Sequence, residues 1–173
     1  MAHRDEQKKS HLDREDLAGE HAVGDAGQFT LACLFLVIWV ADTIFLQYTT
    51  FLNQYVPLVV RIPCGVAVLV LAGCLAKTGM AMVFGEERDS PAMVTEGVFS
   101  VIRHPIYLGE MLLYVGLLIW SISLAAGVVW VFAIAFLHYI SRHEEKLMLG
   151  IFGREYERYM QEVPMWLPRL RKG

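Results

Sequence analysis

A chain of 173 residues that is 55% hydrophobic and 19% charged, with a mean hydropathy of +0.43, is too apolar for an ordinary soluble domain. It reads as a one-domain integral membrane protein. The net charge of −3, without any dense basic stripe, argues against a nucleic-acid partner. Cys33, Cys64 and Cys74 lie inside apolar runs with no metal-binding spacing, so neither a disulfide framework nor a metal site is expected.

The expected fold class is all-α and integral to the membrane, with about four transmembrane helices. The last two form a tight hairpin, and a cytoplasmic amphipathic helix follows near the C-terminus. Residues 1–28 carry Arg4, Lys8, Lys9 and Arg14 against seven acids and read as a disordered or loosely helical cytoplasmic tail. No signal-peptide pattern is visible there. The remainder, 29–173, reads as a single membrane domain.

Four apolar stretches follow in chain order. Residues 29–51 and 57–76 are each long enough to cross roughly 30 Å of hydrocarbon as a helix. Residues 106–122 and 124–140 are shorter and meet at Ser121-Ile122-Ser123, so they are predicted to form the hairpin. Basic residues sort cleanly between the connections: four in the tail, three in segment 77–103, seven from Arg142 onward, and none near 53–56 or 121–123. The positive-inside rule therefore places both termini and the middle segment in the cytoplasm.

Polar residues inside the spans need partners. Asp42 and Arg61 are expected either to pair with each other or, for Arg61, to snorkel to the outer surface. Glu110 is expected to share a helix face with Arg103 and Tyr107 as an interfacial carboxylate.

Two polar clusters then stand out. The first is Arg103-His104-Pro105-Ile106-Tyr107 within residues 93–109. Pro105 suits the first turn of a helix, which puts His104 at the cap beside free backbone N–H groups and the positive end of the helix dipole. Such a place attracts a carboxylate or phosphate. The second cluster is Arg142-His143-Glu144-Glu145, whose acids suit a cationic amine or ribose hydroxyls. Together the two suit a small zwitterionic or charged cofactor. Beyond them, segment 152–159 reads as an amphipathic helix in which Tyr156 and Tyr159, with Trp166 further on, are natural interfacial anchors. That segment is also placed to cap the site.

The ordered series Val94, Gly97, Phe99, Arg103, His104, Pro105, Tyr107 and Gly109, then an apolar hairpin, then Glu144, Glu145, Phe152, Gly153, Tyr156, Tyr159 and Pro164 or Pro168, resembles the isoprenylcysteine carboxyl methyltransferase family. Membrane phospholipid N-methyltransferases share related features. The resemblance covers about 75 of 173 residues. It implies an S-adenosylmethionine-dependent methyltransferase with its cofactor region at 91–109 and 141–168. By position it implies cofactor contacts from Met93, Val94, Gly97, Phe99, His104, Pro105, Ile106, Tyr107 and Glu144, with Arg142 and Glu145 on the catalytic side and no metal.

Two departures from the family pattern stand out, the first at a cofactor-side position and the second on the acceptor side. Phe99 stands where the family often has tyrosine. Ile140 stands where carboxylate-binding members tend to carry arginine, with Arg142 two residues later. The implied acceptor is lipophilic or lipidated and drawn from the membrane, foremost an isoprenylcysteine carboxylate. A phospholipid amine and a small thiol stay open beside it. From other classes, an NADPH-dependent enzyme like the sterol reductases and a non-catalytic membrane scaffold stay open too, although the chain has few helices for the former.

Overall fold

Leu, Val, Ala, Ile and Phe dominate each apolar stretch, and a bilayer core offers no water to satisfy backbone N–H and C=O groups, so these stretches run as helices. The computed structural model describes residues 22–85 and 92–168, and the described residues are helix and turn without any strand. Helix α1 spans Ala22–Val40 and continues into a π-helical turn, Ala41–Leu46. A short 3₁₀ turn, Phe51–Gln54, precedes α2, Leu58–Phe84. Another, Gly97–Ser100, precedes α3, Pro105–Trp120. Helix α4 is Leu124–Phe152 and α5 is Arg154–Glu162.

Three segments, Ala26–Leu46, Leu58–Phe84 and Leu124–Phe152, are long and apolar enough to cross a membrane. The protein is an integral membrane protein of helical fold. At 1.5 Å per residue, α3 is only about 24 Å long. It is short for a bilayer, and it packs closely along α2.

Several boundaries differ from the sequence expectation. Residues 22–28, expected in the tail, already belong to α1, because a spanning helix satisfies its first N–H groups better by extending into polar sequence than by ending at hydrocarbon. The rest of the expected tail, 1–21, lies outside the described residues. The first span stops at Leu46 instead of residue 51: Gln47 turns left-handed at φ 55° and its N–H bonds the Asp42 carbonyl at 2.8 Å. Helices α2 and α4 run well past 76 and 140, since no proline or glycine interrupts 141–149 and polar residues there are good helix formers. Gly153, at φ 56°, finally ends α4 and starts α5.

These lengths give a common level. Lys77 lies about 29 Å along α2 from Leu58, and Arg142 about 27 Å along α4 from Leu124. Both mark where a helix reaches the far edge of roughly 30 Å of hydrocarbon. The second polar cluster thus sits mid-helix, at the membrane surface, rather than at a helix end.

Helices α2 and α3 pack antiparallel along a seam of small residues. The buried positions Gly65, Ala72 and Gly79 recur every seven residues on α2, facing Gly116 and Gly109 on α3. A Cβ at Gly109 would come within 3.0 Å of the Ala72 carbonyl oxygen, and one at Gly65 within 3.0 Å of the Gly116 carbonyl oxygen. With no hydrophobic drive between helices in lipid, such backbone approach is what holds them. On the other side, Phe35 of α1 and Tyr114 of α3 pack with Ala126, Val129 and Ala133 of α4. Glu110 belongs to this side: it accepts the Tyr114 hydroxyl at 2.6 Å. Arg103 does not share its helix face as expected, because α3 begins only at Pro105 and Arg103 lies outside the helix.

At the loop end of the bundle, segments 47–57 and 120–124 are knitted by polar side chains. Asp42 accepts the Thr49 N–H at 3.0 Å, the Thr49 hydroxyl, and the Ser123 hydroxyl at 2.6 Å. Ser123 in turn caps α4 by accepting the Ala126 N–H. Arg61 donates to the Val56 carbonyl at 2.8 Å, Asn53 Oδ1 at 2.5 Å and the Trp120 carbonyl at 2.7 Å. Asp42 and Arg61 therefore do not pair. Each finds neutral partners close by, which removes the need for an ion pair and keeps Arg61 buried instead of snorkelling.

Candidate functional site

At the opposite end, segment 92–104 returns the chain from α2 to α3. Gly97 takes φ 55°, and a Cβ there would come within 2.8 Å of Met82, so glycine alone lets the segment lie against the end of α2. The 3₁₀ turn after it buries Phe99. Pro105 then opens α3 at its first position and His104 is the N-cap, as its sequence predicts, with no side chain capping the helix.

His104 is buried between the two glutamates of α4. Its Nε2 lies 3.4 Å from Glu145 Oε1 and its Nδ1 3.7 Å from Glu144 Oε2. Tyr107 stacks on the His104 ring, with centroids 5.7 Å apart and planes 6° apart, and donates its hydroxyl to Glu144. Sequence spacing put these residues on two separate walls. The fold joins them directly.

The two acids differ in surroundings. Glu145 is 3% exposed, and its Oε1 receives Arg103 Nη2 at 2.7 Å and Nε at 2.8 Å. Glu144 is 19% exposed and faces His104 and Tyr107. Arg142 is 62% exposed and reaches Glu145 Oε2 only at 3.5 Å. So Glu145 is committed to a buried ion pair, whereas Glu144 and Arg142 are more exposed.

Arg103, to which the sequence reading gave no role of its own, is the organising cation. Its Nη1 donates to the Met160 carbonyl at 2.9 Å and the Val163 carbonyl at 2.5 Å, which ties the end of α5 to α4 and to α3's entrance. Its position directly before His-Pro was the available signal. An arginine at the mouth of a membrane helix needs carboxylates and carbonyls, and both Glu-Glu and a helix C-terminus lie downstream.

Tyr156 and Tyr159 are not lipid anchors. Both are buried with Val163, and Met93, Met148, Leu149, Phe152 and Met160 pack around them. The Tyr159 hydroxyl donates to the Phe99 carbonyl at 2.7 Å. Burial pushes that hydroxyl up to about 12, so it stays a donor at any ordinary pH. The apolar face of α5 is thus spent on the protein itself. Of the remaining sequence-assigned residues, Val94 is half-buried in the returning segment. Pro105 and Ile106 pack against α2, where a Cβ on Gly79 would meet Ile106 at 2.7 Å and Pro105 at 3.4 Å.

The helical membrane bundle thus brings an uncapped helix N-terminus, a partly exposed carboxylate and a His–Tyr stack together at one end. The eukaryotic intramembrane Ras methyltransferase, an isoprenylcysteine carboxyl methyltransferase, shares this fold with a TM-score of 0.61 at 23% identity, over 86% of this chain and 53% of that one. The sequence profile of the phospholipid methyltransferase family matches residues 60–155, more than half of the chain, and the chain belongs to that family. It is 30% identical over 113 residues to the protein-S-isoprenylcysteine O-methyltransferase of Mus musculus, covering 60% of this chain and 40% of the mouse protein. It is also 30% identical over 117 residues to protein-S-isoprenylcysteine O-methyltransferase B of Arabidopsis thaliana, covering 60% of this chain and 57% of the plant protein. This chain therefore spans about half the length of the relatives it matches.

Proposed function

We propose that this protein is an S-adenosylmethionine-dependent membrane methyltransferase whose acceptor is lipophilic, foremost an isoprenylcysteine-type carboxylate. The observation that carries the proposal is Glu144, partly exposed beside His104 and Tyr107, facing the uncapped N-terminus of α3 at the level where α4 leaves the hydrocarbon. Kinship with isoprenylcysteine O-methyltransferases supports it.

The residues fit the cofactor's chemistry. A zwitterionic amino acid group wants a carboxylate for its amine and backbone N–H groups for its carboxylate, and Glu144 with the start of α3 offers both. We assign Met93, Val94, Gly97, Phe99, His104, Tyr107 and Glu144 to the cofactor side, with Pro105 and Ile106 backing it against α2. S-adenosylmethionine supplies an already activated methyl group, so the protein chiefly has to align and desolvate. Arg103 and Glu145 act as positioning residues: they lock segment 92–104 and α5 against α4. Arg142, on the exposed side of Glu145, is placed to orient a carboxylate acceptor. Attack of an anion on a sulfonium neutralises charge, so a site at the edge of hydrocarbon favours the step. The distribution of basic residues puts this site and both termini in the cytoplasm.

The family profile favours one second acceptor class, a phospholipid amine, which must first lose a proton. Incubation of the purified protein with isotope-labelled S-adenosylmethionine and farnesylcysteine, phosphatidylethanolamine or a small thiol, read by product mass, tests both. Label is expected in farnesylcysteine. Calorimetric titration with S-adenosylhomocysteine should show binding; binding of NADPH in its place would sink the methyltransferase proposal.

A further inference from the structure

After α5 the chain reads Val-Pro-Met-Trp-Leu-Pro, and its two prolines, with Val163 already extended at ψ 126°, keep it from resuming a helix. The extended segment lies along the entrance to α3. Arg103 N–H donates to the Pro164 carbonyl at 3.0 Å, and His104 N–H to the Met165 carbonyl at 3.4 Å. That pairing delivers Trp166 to the site. Its indole tilts over the His104 ring, centroids 5.7 Å apart at 39°, and its Nε1–H donates to Nδ1 of His138 on α4 at 3.4 Å.

His138 lies six residues before Glu144, about 9 Å deeper along α4 and about 21 Å from Leu124, within the depth of the hydrocarbon. It is nonetheless exposed on the bundle. An imidazole facing lipid at that depth is costly, and the indole N–H is its hydrogen-bond partner. Neither side chain holds Glu145 or Glu144. The indole thus touches the His104 ring on one side and the exposed His138 on the other. The backbone before Trp166 is fixed by its bonds to Arg103 and His104, whereas the side-chain pair itself is joined by one long hydrogen bond and one tilted ring contact.

We propose that Trp166 and His138 form the threshold across which the reactive end of a lipophilic acceptor passes from the bilayer to the site, and that the pair positions this acceptor. The inference rests on the methyltransferase function proposed above. The indole presents an apolar face to the acceptor's chain, and His138 fixes its orientation.

The test is steady-state kinetics in proteoliposomes with farnesylcysteine as acceptor, beside calorimetric S-adenosylhomocysteine affinity. Trp166→Ala is expected to raise acceptor KM about tenfold while kcat and cofactor-product affinity stay within about twofold. His138→Leu should move acceptor KM in the same direction by a smaller factor. His138→Asn, whose side-chain carbonyl can accept the indole N–H, should restore it. Because His138 is exposed, its variants separate a threshold from a folding defect. Unchanged acceptor KM in Trp166→Ala overturns the threshold, as does a loss of S-adenosylhomocysteine affinity as large as the rise in KM. Wild-type protein that binds S-adenosylhomocysteine but methylates none of the acceptors overturns the acceptor assignment and the threshold with it. Wild-type turnover with unaltered variants overturns the threshold alone.

Discussion

Buried charge appears at both ends of this bundle, under opposite rules. At the loop end, Asp42 and Arg61 are each surrounded by neutral donors or acceptors: Thr49 and Ser123 for the one, Asn53 and the Val56 and Trp120 carbonyls for the other. At the opposite end, Arg103 and Glu145 neutralise one another, and Glu144 and Arg142 beside them keep exposed charge. A network that fixes loops is complete in itself. The network at the opposite end leaves part of its charge exposed, which the proposed function assigns to a guest.

The most forceful way to break this contrast is Arg103→Met. It strands the Glu145 carboxylate and releases the end of α5, and should cost about 3–5 kcal/mol in unfolding experiments in detergent. The double variant Arg103→Met with Glu145→Met should recover much of that; equal instability in the double would show that the carbonyl contacts to Met160 and Val163 dominate. Asp42→Asn is next. It mismatches donors at the loop end and should lower stability by about 1–3 kcal/mol while leaving S-adenosylhomocysteine affinity of the folded protein untouched. Weakened binding at normal stability would move the loop end into the functional site.

Two variants sharpen the other side. Glu144→Ala and His104→Ala should each weaken S-adenosylhomocysteine about tenfold, roughly 1.4 kcal/mol, in protein that remains folded. Normal affinity in both would remove the cofactor from this cluster. The smallest effect on the scaffold belongs to Arg142→Ala: stability within about 0.5 kcal/mol and unaltered cofactor-product affinity, with turnover or acceptor KM impaired. Wild-type kinetics with farnesylcysteine would exclude Arg142 from the acceptor side.

Much of this was legible in the chain itself. Hydropathy marked the membrane helices, because a bilayer demands long apolar runs with internally bonded backbones. Pro105 after His104 announced a helix start, since proline's fixed φ and missing N–H suit the first turn. The series from Val94 to Tyr159 carried the family. What composition and spacing could not carry were partners set by distance in space. Whether Asp42 meets Arg61 or Thr49 depends on how loop 47–57 folds over Ser123. Tyr156 and Tyr159 look like lipid anchors in one dimension, and only packing against Met93 and Phe152 reveals them as core.

The sequence by itself determined a helical membrane protein, the position of its polar cluster and its kinship, because each follows from local composition, helix-end chemistry or an ordered motif. Only the tertiary structure decided which glutamate is locked in a buried ion pair and which is partly exposed. Arg103 reaches Glu145 across 42 residues of chain, and the seam of Gly65, Ala72, Gly79, Gly109 and Gly116 holds α2 and α3 close while segment 92–104 places that arginine against α4. Energies of such contacts depend on geometry that no local pattern encodes.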